Sequence, residues 1–271
     1  MKLKDVLKGK LSEKERSLLR GFDVVGDIAV MELPKALFKK QKLIAKTLLE
    51  LLPYVRTVVR KKGGHVGVYR KQPVQVLAGD GCKETVQKEF GVSMRLNIES
   101  CYFSPRLSSE RERIAKLVKP GEWVLVMFSG VCPYALVIAK LARPERVVAV
   151  EANPSAHKYA VMNVQQNRLG HKVIPIKGDV RKVIPKEKFD RVVMPWPQKG
   201  YLFLDVALKH VKKGGMIHVY DFQSETEQGS SRQKVLDACK KAKKTCRIVN
   251  EVVCGQVGVR NWRVCIDARI S

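Results

Sequence analysis

Two stretches of the chain combine residue types that chemistry can use. The first runs from Trp123 to Pro154. The apolar run Trp123 to Phe128 is broken by Ser129-Gly130-Val131-Cys132-Pro133. A second apolar run, Arg146 to Val150, then ends on an acid, Glu151. A glycine turn lets a ligand approach the backbone, and an acid about 20 residues on, at the tip of the next strand, takes both ribose hydroxyls of a nucleoside. No GxGxxG cradle for a pyrophosphate is present, which favours S-adenosylmethionine (SAM), a cofactor without phosphate. The bland alternative is an ordinary buried strand–helix–strand unit with Glu151 facing solvent. The second stretch is Pro195-Trp196-Pro197, after the apolar run Arg191 to Met194. Two prolines stiffen the turn and fix Trp196 after the fourth strand, at the carboxyl end of the sheet, where ligands of open α/β folds sit. The alternative is that Trp196 packs under the neighbouring helix.

Elements must hold these residues in place. Trp123–Phe128 reads as a strand covered on both faces. Tyr134–Leu141 reads as a helix with Pro133 in its first turn. A third strand is expected at Val173–Ile176, ending in Gly178-Asp179, and a fourth at Arg191–Met194. A helix follows at Leu202–Val211, stopped by Lys213-Gly214-Gly215, and then a fifth strand at Met216–Phe222. Helices at 153–167 and 234–243 and a last strand pair at 246–253 and 260–270 complete this half. Strands alternating with helices give a parallel sheet covered on both faces. Ahead of it, Ser12 with Glu15 caps a helix over 11–20, and 22–33 reads as a hairpin or a bent strand around Gly26-Asp27. A helix over 34–52 has a lysine-rich outer face. Short strands are expected at 55–60, 66–69, 74–77, 85–90 and 94–98. The basic run Arg56, Arg60-Lys61-Lys62 and Arg70-Lys71 is either a phosphate-contacting edge or a solvated face.

Charge sets the partner class. The 271 residues hold 52 Lys+Arg against 26 Asp+Glu, a net +26. The excess is +10 in residues 1–100 and +16 in the rest, so it is not a basic tail. A folded chain this basic repels itself, which points to a polyanion, nucleic acid first. The alternative is a surface rich in lysine for other reasons. No apolar run approaches the ~20 residues that span a bilayer. The charged opening MKLKDVLKGKLSEKERSLLR has no secretory apolar core. The seven cysteines show no CxxC and no metal-type spacing, so they read as reduced and mostly core. A cytoplasmic protein is expected.

Several segments together resemble a known family. They are GDIAVMELP, GVYR with LAGDG, YFSPRLSSERER, VMFSGV, AVEANPSA, GDVR and KKGGMIHVYDF. The chain is similar over almost its whole length to the archaeal and eukaryotic tRNA (guanine-37) N1-methyltransferases. It also resembles their relatives, the wybutosine-pathway aminocarboxypropyl transferases; YFSPRLSSERER looks like the methyltransferase branch. The resemblance implies an α/β fold: a class I SAM-dependent methyltransferase domain, Rossmann-like, with a mostly parallel sheet and a terminal antiparallel strand pair. A small α+β tRNA-binding domain would occupy 1–100, and the linker plus methyltransferase domain 101–271. A further N-terminal domain of many members, which touches the tRNA elbow, is not expected among these residues.

The resemblance also implies roles. Glu110 matches the general base that takes the proton from guanine N1. Arg70, Arg106 and Tyr102 line the reacting base, an arginine being suited to charge that develops on guanine O6. Arg111, Phe128, Gly130, Glu151, Ala152, Asp179, Val180 and Pro195 would hold SAM, and Trp196 and Pro197 the substrate. No metal is implied. The partner would be the anticodon stem-loop of tRNA, bound by a monomer. Read without the resemblance, Glu110 and Arg111 are a charged first helical turn. Three positions depart from the family's patterns. Val126 stands where an acid is usual, Cys132 where a glycine is usual, and Pro195 where an asparagine is usual.

Overall fold

The computed structural model describes residues 3–271. The chain divides into two compact units: Met1–Lys88 with Ser93–Pro105, and Glu89–Val92 with Arg106–Ser271.

The first unit opens with two short helices, α1 (Leu3–Val6) and α2 (Glu13–Ser17). Ser12 caps α2 and Glu15 reaches back to the Ser12 N–H at 2.8 Å, closing the capping box that the sequence spelled. Strands β1 (Phe22–Val25) and β2 (Ile28–Met31) form the hairpin, turning at Gly26, whose φ is +56°. The expected helix over 34–52 is in two pieces. A 3₁₀ segment, Lys35–Lys40, precedes α3 (Gln41–Leu51), which buries Ile44, Ala45 and Leu48. Strands β3 (Thr57–Lys61) and β4 (Val74–Gly79) finish a four-stranded sheet in the order β1-β2-β3-β4. Strands β5 (Glu84–Glu89) and β6 (Val92–Asn97) pair separately. The strand expected at 66–69 does not form. Val66 and Lys71 make only an isolated bridge across a tight turn, because Gly67 and Arg70 both adopt positive φ.

The second unit begins with α4 (Ser108–Leu117) and then alternates: β7 (Trp123–Met127), α5 (Pro133–Leu141), β8 (Arg146–Glu151), α6 (Pro154–Gln166) and β9 (Val173–Lys177). It continues through α7 (Val180–Val183), β10 (Phe189–Met194), α8 (Leu204–His210) and β11 (Val211–Ser224), and ends with α9 (Ser230–Lys241), β12 (Cys246–Gly258) and β13 (Asn261–Ile270). The seven strands lie in the order β12-β13-β11-β10-β7-β8-β9. All pairings from β9 to β11 are parallel, whereas β13 lies antiparallel to both β11 and β12. This is the class I methyltransferase arrangement. The order reverses between β7 and β10, so the carboxyl ends of those strands form the crevice in which open α/β sheets bind ligands. Val124 to Met127 and Val192 to Met194 are fully buried, which fixes both strands in the centre of the sheet. Among the described residues, no helix is long and apolar enough to cross a membrane.

Candidate active site

The loop leaving β7 is built from alternating left-handed residues. Phe128, Gly130 and Cys132 have φ of +55°, +57° and +69°. Cys132 thus adopts the conformation that favours glycine, at a position where a glycine was the expected family residue. Its thiol is fully buried, and burial pushes it up to about 12, so it packs rather than reacts. Ser129 N–H donates to Val150 O at 2.8 Å, tying the loop to β8. Glu151 completes the tie. Its Oε2 accepts from Gly130 N–H and its Oε1 from Asn153 N–H, both at 2.7 Å. Asn153 then caps α6 through Ser155 N–H at 3.0 Å. Glu151 is therefore not simply solvent-facing: burial raises its pKa, only partly offset by the N–H groups of Asn153, Gly130 and Ala152. A carboxylate has about four lone-pair positions, so with these three N–H groups facing it accepting capacity remains for a ribose hydroxyl. Ala152, beside it, is exposed.

Asp179 caps α7, accepting from Arg181 N–H at 2.8 Å, while the Val180 side chain is buried in the core. Gly178 is required there, because a Cβ would lie 2.5 Å from a Val183 methyl. Across the crevice, Pro195, Trp196 and Pro197 leave β10. Trp196 is half-buried and packs in an aromatic group that sequence reasoning did not assemble. Phe128 meets Trp196 and Phe203 edge-on, each at 5.0 Å, and Trp196 lies 5.8 Å from Phe203. The Arg181 guanidinium sits 3.8 Å over Phe203. The Trp196 indole Nε1 is buried with no hydrogen-bond partner among the protein atoms. Trp196 is thus packed against Phe128 and Phe203 while part of its surface stays exposed.

Glu110 lies in α4 and is only 5 % exposed. Arg113 grips it from one turn on, with Nε to Oε2 and Nη2 to Oε1 both at 2.8 Å, and the Tyr220 hydroxyl donates to Oε1 at 2.6 Å. These three bonds orient the carboxylate, and the Cys254 thiol also lies against it. Burial keeps the Tyr220 pKa far above its ordinary value, so this hydroxyl remains a donor.

Behind Glu110 runs a buried charge network that sequence reading missed. Arg113 Nη1 donates to Asp267 Oδ2 at 2.7 Å. Asp267 Oδ1 is 2.6 Å from His218 Nδ1, and His218 Nε2 is 2.6 Å from Arg191 Nη1. Arg191 also donates to Glu122 and to Leu117 O. Arginine can only donate, so Nε2 accepts and Nδ1–H donates to Asp267. Burial lowers the His218 pKa, which agrees with this neutral tautomer. Against the cost of burial, His218 and Arg113 hold Asp267 well below the usual carboxylate range. His218, Cys265 and Asp267 come close enough to bind a cation, although the cysteine spacing suggested no such cluster. However, the His218 and Asp267 ligand atoms already face two guanidinium groups, which supply the positive charge. The one available signal for the network was a His or charged residue inside an apolar strand run, as in MIHVY and VCIDARI.

Arg111, expected beside the cofactor, is 1 % exposed and makes a two-bond pair with Glu89 at 2.7 and 2.6 Å. Arg106 is exposed ahead of α4. In the first unit, the Arg70 guanidinium stacks 3.8 Å over the Tyr102 ring. Part of the expected phosphate edge is committed within that unit. Arg56 pairs with Asp27 and Asp80, Arg60 with Gln41 and Gln75, and Lys61 with Glu32.

Residues 85–249 match the model of the TRM5/TYW2 methyltransferase domain, and residues 3–82 that of the TYW2 N-terminal domain. The tRNA (guanine(37)-N(1))-methyltransferase Trm5b of Pyrococcus abyssi is 34% identical over 260 residues, covering 96% of this chain and 77% of the relative. The tRNA 4-demethylwyosine(37)-methyltransferase Taw21 of Saccharolobus solfataricus is 34% identical over 231 residues, covering 83% of this chain and 86% of the relative. The crystal structure of Methanocaldococcus jannaschii Trm5 in complex with adenosine superposes with a TM-score of 0.83 at 29% identity, covering 99% of this chain and 78% of that one. With a family model spanning more than half of its residues, and with the crevice, glycine turn and acid of that fold in place, the chain belongs to the TRM5/TYW2 methyltransferase family.

Proposed function

We propose that the protein is a SAM-dependent tRNA methyltransferase acting on N1 of guanosine 37, next to the anticodon. SAM is its cofactor. The observation that carries the reading is the Glu110 carboxylate, buried in α4 and oriented by the Arg113 guanidinium and the Tyr220 hydroxyl. Guanine N1 carries a proton that must leave as the methyl group arrives, and a positioned carboxylate is the group to accept it. Arg113 and Tyr220 orient that carboxylate. Arg111, through its pair with Glu89, fixes the first turn of α4.

The Glu151 carboxylate holds the ribose hydroxyls, with Gly130 and Ala152 lining the approach. Phe128 and the Asp179-Val180 corner flank the adenine. Pro195 has a carbonyl but no N–H to offer, so it contacts the cofactor only as an acceptor. The SAM sulfonium supplies the methyl group and the leaving thioether, so this chain's residues need only place the groups and move one proton. Arg70, stacked on Tyr102, is the cation for charge developing on O6, and Arg106 of the linker is a further substrate-side arginine. The net charge of +26 supports tRNA as the partner.

A specific observation favours a second reading, methylation of the tricyclic base 4-demethylwyosine at the same position. Trp196, Phe128 and Phe203 form a wide aromatic wall at a point where the family's asparagine is replaced by Pro195. Stacking suits an extended ring system, and the wall replaces a directional amide with π surface. Single-turnover assays with two tRNAs, one bearing guanosine 37 and one bearing 4-demethylwyosine 37, separate the two. Faster transfer to guanosine supports the first reading; transfer confined to the tricyclic base overturns it in favour of the second.

A further inference from the structure

The twelve residues between β3 and β4 build a projecting hairpin that carries Arg70 and, ahead of it, the apolar residues Val66, Val68 and Tyr69. Lys62 N–H donates to Pro73 O at 2.9 Å at its base. Val66 and Lys71 exchange backbone bonds of 2.8 and 3.0 Å, and Arg70 N–H closes the tip onto Gly67 O at 3.1 Å. The Gln72 side chain, only 7 % exposed, clamps the other strand through Gly63 O at 2.8 Å. The hairpin is therefore pinned at its base, middle and tip.

What it presents is apolar. Val68 is 83 % exposed, Val66 50 % and Tyr69 40 %. A single exposed valine needs no explanation. Three apolar residues at the tip of a pinned hairpin do. Lys61, Lys62, Arg70 and Lys71 flank them, and no acid occurs anywhere from 57 to 79. Beneath the tip, His65 meets the Tyr102 ring edge-on at 5.1 Å, and Arg70 covers the same ring. Partial burial and the Arg70 and Lys61 charges push His65 down to about 4, so its ring is a neutral π surface at working pH.

We propose that this hairpin is a wedge, with Val68 entering the base stack of a nucleic acid loop where a nucleotide has been drawn out. This rests on the reading that the target is a base in the tRNA anticodon loop. An enzyme that works on a stacked base must extrude it, and an apolar side chain of modest size fills the hole and stops it closing. The flanking cations suit the phosphates on either side of that hole. A protein partner is disfavoured by size, since stable interfaces bury roughly 800 Å² per partner, far more than a five-residue tip presents.

The test uses the full chain, S-adenosylhomocysteine and an anticodon stem-loop carrying 2-aminopurine at the target position, whose fluorescence rises on leaving the stack. Wild type and Val68→Leu should raise it, and Val68→Gly should not, with circular dichroism and melting temperature unchanged at so exposed a site. In methyl transfer, Val68→Gly should lose about tenfold or more on an intact loop. It should recover on a loop with an abasic site beside the target, where no stack resists extrusion. Equal losses on both loops, or a normal fluorescence rise with Val68→Gly, overturns the wedge. The fluorescence readout needs no chemistry. A wild type that extrudes the base through Val68 without methylating it therefore counts against the proposed reaction and not against the wedge.

Discussion

Replacing Glu151 by Gln probes the cofactor site where its geometry is most complete. The carboxylate spends one lone pair on each of Gly130 and Asn153 N–H, at 2.7 Å. Ala152 N–H also faces it, and its remaining accepting capacity is assigned to the ribose hydroxyls. A hydrogen bond to a charged group contributes about 1.5–3 kcal/mol. The amide removes the charge and turns one acceptor into a donor, so SAM should bind about ten- to a hundredfold more weakly. The substitution also loosens the loop after β7, which alone would weaken binding. Calorimetry with a second ligand, the 2′,3′-dideoxy analogue of S-adenosylhomocysteine, separates the two effects. Wild type should lose about the same factor when the hydroxyls go, whereas Glu151→Gln should lose little more, a coupling of roughly 0.5–3 kcal/mol.

The pH dependence adds a sign. Burial raises the Glu151 pKa above 4.5, so it takes up its proton earlier than an ordinary glutamate as pH falls. Protonation removes the acceptor, and SAM affinity falls through that window. In the free protein the same proton relieves a buried charge, so this residue's contribution to stability rises there instead. Equal loss of the dideoxy ligand in wild type and variant would refute the assignment of Glu151 to the ribose.

Three further outcomes are expected. Glu110→Gln keeps the fold, because Asp267 still pairs with Arg113, and it should lose about 10²–10⁴ in single-turnover rate with SAM affinity little changed; a normal rate would return Glu110 to a purely structural role. Trp196→Ala should lose tRNA-dependent tryptophan quenching and roughly 1–3 kcal/mol of base stacking, while its melting temperature falls only modestly, since each aromatic pair contributes about 0.5–1.5 kcal/mol; a large drop in melting temperature with normal turnover of the folded fraction would make Trp196 a packing residue. Melting temperature followed against pH should decline as pH drops below 6.5, because the lowered His218 pKa leaves the unfolded chain binding the extra proton; His218→Gln should flatten that decline, and an unchanged slope would contradict the neutral buried histidine.

Much of the scaffold was legible in local patterns. The capping box of Ser12 and Glu15 and the runs that became β7, α5 and β8 carry their instructions within a few residues. The glycine turn and Glu151 were legible for the same reason, since strand ends fix where such residues fall. The hairpin tip misled because Val66, Val68 and Tyr69 follow a near strand period, yet their apolar side chains face solvent. Periodicity assumes that apolar residues are buried, and a residue exposed for binding breaks that assumption. The network behind Glu110 was illegible for another reason. Arg113 and Asp267 are 154 residues apart, and only the finished sheet brings β11 and β13 over α4. Similarly, the aromatic wall needed the ends of β7 and β10 to meet before Phe128 and Trp196 could touch.

The central claim is that this chain moves a methyl group from SAM to N1 of guanosine 37. The direct measurement is nucleoside mass spectrometry of an unmodified tRNA transcript after incubation with the protein and SAM carrying an isotopically labelled methyl group. The account predicts one labelled methyl per tRNA, recovered as N1-methylguanosine and mapped to position 37. An aminocarboxypropyl gain, a methyl group on another base or atom, or no gain with tRNA bound would contradict it.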